Sequence, residues 1–145
     1  MKGAYAVFGA GSFGSKVATE LSEAGHHVVV IDRDRDAVSA IREKVTEALV
    51  ADVSNPDVIR ELDVKKFDAV IMGMSSHFED LILALTLIKQ EGAKNIYVNF
   101  IYIQNYFLNV RESSVIDSTI ANESTLMPFA LNSSIAVIAL LATIP

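Results

Sequence analysis

The chain has 145 residues, 51% of them hydrophobic and 21% charged, so it can bury the core of one domain and is too short for a large multidomain enzyme. Its 12 basic and 18 acidic side chains give a net charge of −6, which argues against nucleic acid as a partner. The absence of cysteine excludes disulfide scaffolds, cysteine-ligated zinc and thiol catalysis.

The first part of the chain predicts a strand, a helix and a second strand. Ala4–Phe8 is a short apolar run that follows Met1 without the apolar stretch of a signal peptide, so we expect a cytoplasmic protein. Apolar residues then recur at helical spacing from Phe13 to Leu21, and glycine ends this segment. The β-branched run His27–Ile31 predicts a strand that helices cover on both faces.

The same alternation continues to residue 98. The predicted elements are a helix over 36–44, a strand over 48–51, a helix capped by Asn55 that ends at Leu62, a strand over 69–72, a helix opened by Ser76 and Glu79 that ends before Gly92, and a strand over 95–98. Strands that alternate with helices need crossover connections. The order therefore predicts an α/β fold: a doubly wound, mainly parallel sheet of Rossmann type in a three-layer αβα arrangement.

A glycine-rich motif follows the first predicted strand. Gly9, Gly11 and Gly14 match the pattern G-x-G-x-x-G, and Asp32 stands 18 residues later at the end of the second strand. In this pattern the first glycine allows a tight turn, the second lets a pyrophosphate approach the backbone, and the third lets the helix pack on the sheet. Asp32 can accept hydrogen bonds from ribose hydroxyls and would repel a 2′-phosphate, which favours NAD(H) or an adenine nucleotide, although Arg33 and Arg35 weaken that discrimination.

Residues 99–145 differ in character from the rest. All but four charged side chains precede residue 100, and the apolar run Ile135–Ile144 is too short to cross a bilayer. We expect this run to be buried, between subunits of an oligomer. We interpret the segment as a divergent packing or oligomerisation element. Three forms remain open: a helix and strand, a crossover helix that docks on a neighbour, or an altered form of the sequence that usually follows the fifth strand.

Residues 2–98 resemble the N-terminal domain of the regulators of potassium conductance, the TrkA/KtrA-type subunits of bacterial potassium uptake systems. Four segments carry the resemblance in order and spacing: residues 5–14, 25–32, 51–54 and 66–71. The resemblance implies a cytoplasmic regulatory subunit that binds NAD(H) or ATP/ADP. It implies a homo-oligomer, from a dimer to an octameric ring, held at the inner face of the membrane by a Trk/Ktr-type potassium transporter subunit.

The same resemblance assigns roles to residues. The glycine loop would hold phosphates, Asp32 a ribose and Asp52 the adenine, while the loop after the fourth strand would border the ligand. The implied binding residues are Gly9, Gly11, Ser12, Phe13, Gly14, Asp32, Arg33, Asp52, Val53, Met74 and Ser75. Two departures weaken the expected neutralisation of phosphate: relatives often carry a basic residue at the position of Ser12, and a Lys or Arg where this chain has Asn99–Ile101.

Two functions from different classes remain open from the sequence. The first is a regulatory module, in which nucleotide binding rearranges an oligomeric ring that gates a potassium transporter or channel. The second is a small NAD-dependent oxidoreductase, for which His77 is the one plausibly placed proton-transfer group. No combination of residues indicates a catalytic or a metal site, and regulation is favoured mainly because of the resemblance.

Overall fold

The computed structural model of the chain describes residues 2–74 and 78–99, together with the backbone of residues 137–138. The strands are β1 (Ala4–Phe8), β2 (His27–Asp32), β3 (Glu47–Val50), β4 (Ala69–Met72), β5 (Ile96–Asn99) and β6 (Val137–Ile138). The helices are α1 (Ser12–Glu23), α2 (Arg35–Ile41), α3 (Pro56–Leu62) and α4 (Phe78–Gln90), with short 3-10 turns at Arg42–Lys44 and Val64–Lys66. The chain divides into two compact units, of which Met1–Val98 with Ala139–Pro145 is the first and Asn99–Ile138 the second.

The sheet of the first unit confirms the predicted Rossmann-type fold. Its strand order is β3-β2-β1-β4-β5, and all of these neighbours are parallel. Ala6 in the central strand β1 pairs with Val29 on one side and Val70 on the other. From β1 the chain continues to β2 and β3 on one side of the sheet. It then crosses back and forms β4 and β5 on the other side of β1, so the strand order reverses beside β1. In open α/β sheets, ligands bind at the carboxyl ends of the strands at such a reversal.

The apolar runs seen in the sequence form the core. Val7, Val30 and Val70, in β1, β2 and β4, are almost completely buried because helices cover the sheet on both faces. Helix α2 begins after Asp34, whose side chain accepts hydrogen bonds from the Asp36 and Ala37 amides, and α3 begins after Asn55, whose side chain accepts one from the Asp57 amide. These caps fix where the loops at the carboxyl edge of the sheet end.

The edge elements differ slightly from their predicted bounds. β3 begins one residue earlier than predicted, and Leu49 and Val50 on it are 39% and 44% exposed. β5 is also displaced by one residue, and the helix predicted over 36–44 ends at Ile41 and continues as a 3-10 turn. The apolar pattern marks β3 poorly because only part of this strand is buried.

Some predictions fall on residues outside the described part of the chain. They are the helix cap at Ser76 and the burial of Ile135–Ile144, and of the segment 99–145 only Asn99 and the backbone of β6 are described. Across residues 2–74 and 78–99, no helix combines the length and the apolar character needed to span a bilayer.

Candidate functional site

A cleft opens where β1, β2, β3 and β4 end, at the reversal of strand order. Its cavity volume is about 110 Å³, and the cleft is open to solvent. Seven residues implied by the sequence line it: Gly9, Gly11, Asp32, Arg33, Asp52, Val53 and Met74. Ile31, Ala51 and Gly73 complete the lining. Residues from four separate loops therefore meet in one place.

The glycines of the loop have different physical roles. Gly9 has a φ of +101°, and a Cβ atom there would lie 2.9 Å from the carbonyl carbon of Gly73 and from the nitrogen of Met74. At Gly14, a Cβ atom would collide with the carbonyl oxygen of Gly9. At Gly11, nothing lies within 4 Å of an added Cβ atom, so the backbone faces the open cleft. Gly9 and Gly14 are needed for packing, whereas Gly11 leaves room for a ligand.

The amino terminus of α1 suits an anion. Gly11 occupies its N-cap position, no side chain caps it, and its first turn carries no acidic residue. The first-turn amides of a helix have no intrahelical acceptor, and the helix dipole adds partial positive charge there. Ser12 is exposed at this end, whereas the Phe13 side chain packs against the core, so Phe13 offers a ligand its backbone amide. This is the arrangement that holds phosphate groups in dinucleotide-binding folds.

Asp32 connects the end of β2 to the glycine loop. Its Oδ2 atom accepts the backbone N–H of Ala10 at 2.6 Å, and its Oδ1 atom accepts the N–H of Asp34 at 2.8 Å. Each carboxylate oxygen keeps a second lone pair. Asp32 thus has acceptor capacity for a ribose hydroxyl while it also holds the loop in place.

Asp52 lies on the far side of the cleft, after β3. Hydrogen bonds to its Oδ1 atom from the Ser54 hydroxyl (2.7 Å) and the Ser54 backbone N–H (2.9 Å) hold the pKa of the Asp52 carboxyl below its usual value. The positive charge of Arg33 acts in the same direction, and partial burial opposes it. Asp52 is therefore ionised at neutral pH and can accept hydrogen bonds from an amino group of a ligand.

Replacing Ser54 with alanine is expected to raise the pKa of Asp52 toward its ordinary value, because the stronger of the two Ser54 hydrogen bonds is lost. A carboxyl whose pKa is lower in the folded chain than in the unfolded chain stabilises the folded state at pH values above its unfolded-state pKa. This stabilisation is lost as the pH falls through the folded-state pKa. NMR titration of the Asp52 carboxyl carbon measures the shift, and Ser54→Thr, which retains the hydroxyl, is the control. An unchanged Asp52 titration in Ser54→Ala would contradict this assignment.

Arg33 carries the positive charge among the residues that line the cleft. Its Nη1 atom lies 3.2 Å from Oδ2 of Asp80, in the first turn of α4. The Arg33 side chain is 51% exposed, so this ion pair stabilises the fold only weakly. It does bring the loop after β2 to the beginning of α4.

The sequence reasoning did not select three residues that line this cleft, Ile31, Ala51 and Gly73, and of these Gly73 also packs against the glycine loop. Gly73 directly follows β4, and a Cβ atom on it would lie 3.0 Å from Cα of Gly14 and 3.2 Å from the Gly9 carbonyl oxygen. A glycine immediately after a strand of a predicted parallel sheet was the available signal. Ser75 and His77 lie outside the described residues. Within the described residues, no three His, Asp or Glu side chains are placed to hold a metal ion.

The sequence matches a known family and a set of potassium uptake proteins. The family model of the TrkA-N domain matches residues 5–120. The Ktr system potassium uptake protein C of Bacillus subtilis is 32% identical over 98 residues, which are 68% of this chain and 44% of that protein. The Ktr system potassium uptake protein A of Vibrio alginolyticus is 31% identical over 94 residues, which are 65% of this chain and 43% of that protein. The chain thus spans less than half the length of these relatives.

Solved structures share the fold at low sequence identity. The NAD(P)-binding domain of an exopolyphosphatase-related protein from Archaeoglobus fulgidus superposes with a TM-score of 0.56 at 18% identity. The match covers 77% of this chain and 99% of that one. A xanthine dehydrogenase from Bacillus halodurans gives a TM-score of 0.59 at 21% identity, over 74% of this chain and 32% of that one. Identities this low show the fold alone. The family match over most of the sequence goes further: the chain belongs to the TrkA-N domain family.

Proposed function

We propose that the chain is a nucleotide-binding regulatory module of a potassium uptake system. The observation that carries the proposal is the cleft itself, in which an uncapped helix terminus and Asp32 face a common space beside Gly11. Membership of the TrkA-N family and the similarity to Ktr potassium uptake proteins support the assignment to potassium transport.

The lining of the cleft indicates how an adenine nucleotide would bind. The α1 terminus would hold the diphosphate, Asp32 would accept hydrogen bonds from the ribose of the adenosine, and Asp52 would accept one from the adenine amino group. NAD(H), ATP and ADP share this adenosine diphosphate portion. A 2′-phosphate would lie against the carboxylate of Asp32, so NAD(H) is expected to bind more tightly than NADP(H).

Regulation by such a module requires only that the nucleotide bind one conformation more tightly than another. We propose that a homo-oligomeric ring changes its arrangement on nucleotide binding and so gates a membrane potassium transporter of Trk/Ktr type. In this scheme the chain is not an enzyme; it is cytoplasmic and attached to the inner face of the membrane through its transporter. The ion pair between Arg33 and Asp80 offers one contact between the cleft and α4 through which binding would be transmitted.

Thermal unfolding with NAD, NADH, NADPH, ATP and ADP tests the proposal. A ligand at about 100 times its dissociation constant stabilises the folded state by about 2.7 kcal/mol. We expect NADH or an adenine nucleotide to raise the melting temperature, NADPH to do so less than NADH, and no hydride transfer to simple ketones or hydroxy acids to occur. A folded sample that none of the five stabilises would contradict the proposal, and turnover of such substrates would favour an oxidoreductase instead.

A further inference from the structure

Ala10, between Gly9 and Gly11, is held at both of its backbone polar groups. Its N–H donates to Oδ2 of Asp32 at 2.6 Å, and its carbonyl oxygen accepts the hydroxyl of Ser15 at 2.7 Å. Ser15 lies in the second turn of α1, does not line the cleft, and is half-buried. Two side chains from different elements thus fix one residue of the loop.

The glycines on either side make this restraint significant. Gly9 and Gly11 have no side chains to limit their backbone angles, and nothing lies within 4 Å of the position a Cβ atom of Gly11 would take. A loop of this kind loses conformational entropy when it closes on a ligand, and that loss subtracts from the affinity. A loop already fixed in the free chain avoids most of the loss.

The Ser15 hydrogen bond differs from the usual bond of a hydroxyl in a helix. Thr19 makes the usual one, to the carbonyl oxygen of Ser15, four residues earlier in the same helix, at 2.8 Å. Ser15 reaches back five residues, past the N-cap Gly11, to a carbonyl outside the helix. Its bond therefore restrains the loop, whereas the Thr19 bond restrains only α1.

We propose that Ser15 is a positioning residue for the glycine loop, and that with Asp32 it preorganises the loop for the diphosphate of a bound nucleotide. The inference rests on the proposed function for its ligand. Ser15 acts through the Ala10 peptide and touches no part of the nucleotide. Its contribution is consequently limited to ligands whose phosphates contact the loop.

Titration calorimetry with ADP and with adenosine, on wild type and Ser15→Ala, tests the inference. We expect the affinity for ADP to fall about three- to tenfold, the range for one lost hydrogen bond, and the affinity for adenosine, which has no phosphate, to stay the same. Ser15→Thr, which retains the hydroxyl, is expected to restore ADP binding. Thr19→Val, which loses a helix hydrogen bond one turn further on, is expected to bind both ligands as wild type does.

Hydrogen exchange of the Ala10 amide in the free chain gives a second readout that needs no ligand. We expect faster exchange in Ser15→Ala and wild-type exchange in Thr19→Val. Unchanged Ala10 exchange in Ser15→Ala would overturn the inference, as would an equal loss of ADP affinity in Ser15→Ala and Thr19→Val. Failure of the wild-type chain to bind ADP or NADH would contradict the proposed function and leave the exchange comparison as the test of Ser15.

Discussion

Gly14→Ala is expected to lower the free energy of unfolding by about 3 kcal/mol or more, the largest loss among single alanine substitutions in the glycine loop. The added Cβ atom would collide with the carbonyl oxygen of Gly9. Gly14 is also close to Gly73, because a Cβ atom on Gly73 would lie 3.0 Å from Cα of Gly14. The two atoms nearest to the Cβ atom added at Gly14 belong to the Gly9 backbone, which cannot move away as a flexible side chain could. Helix α1 would have to separate from the sheet.

Urea denaturation followed by circular dichroism measures this loss, and Gly25→Ala is the matched control. Gly25 has a φ of +87°, but nothing lies within 4 Å of an added Cβ atom. Its substitution should cost only the backbone strain, about 1 kcal/mol. If Gly14→Ala proved as mild as Gly25→Ala, close packing of α1 against the loop would not be what requires this glycine.

Gly11→Ala is expected to fold as wild type does and to lose affinity for adenine nucleotides about tenfold or more, because the new methyl group projects into the space proposed for the diphosphate. Its φ of −70° and ψ of −171° suit alanine. Alanine caps a helix less well than glycine, but it also reduces the entropy of the unfolded chain, and these two effects are of similar size and opposite sign.

The same denaturation experiment separates the two roles of these glycines. Gly11→Ala should unfold within about 1 kcal/mol of wild type, while calorimetry with ADP or NADH detects the lost affinity. Normal nucleotide binding by Gly11→Ala would show that the ligand does not approach this part of the loop. A strongly destabilised Gly11→Ala would show that the loop packs more closely than the structure has it.

Features of the site that depend on local sequence were predictable. The glycine pattern located the turn after β1, and the distance from Gly14 to Asp32 placed an acidic side chain at the end of β2, where it meets the loop. The central strands were predictable because continuous apolar runs have few alternatives to a buried parallel sheet. The family resemblance added Asp52 and Met74, which no spacing rule would have selected.

Contacts between residues far apart in the chain were not predictable in the same way. Gly73 packs on Gly9 and Gly14 because β4 lies beside β1, and no local pattern reports that distance. The bonds that hold Ala10 likewise depend on how β2 and α1 meet. The bounds of β3 were displaced because an edge strand is only partly buried, and its residues resemble those of a loop.

Titration of the isotope-labelled chain with NADH, followed by two-dimensional amide NMR, tests the central claim most directly, because it reports where the nucleotide binds. We expect saturable shifts at the amides of Gly11, Ser12 and Phe13, with further shifts near Asp32 and Asp52. ADP should shift the same set of amides, since it shares the adenosine diphosphate portion. Saturable shifts confined to other surfaces, or no shifts in a folded sample with either ligand, would contradict the claim that this cleft is a nucleotide site.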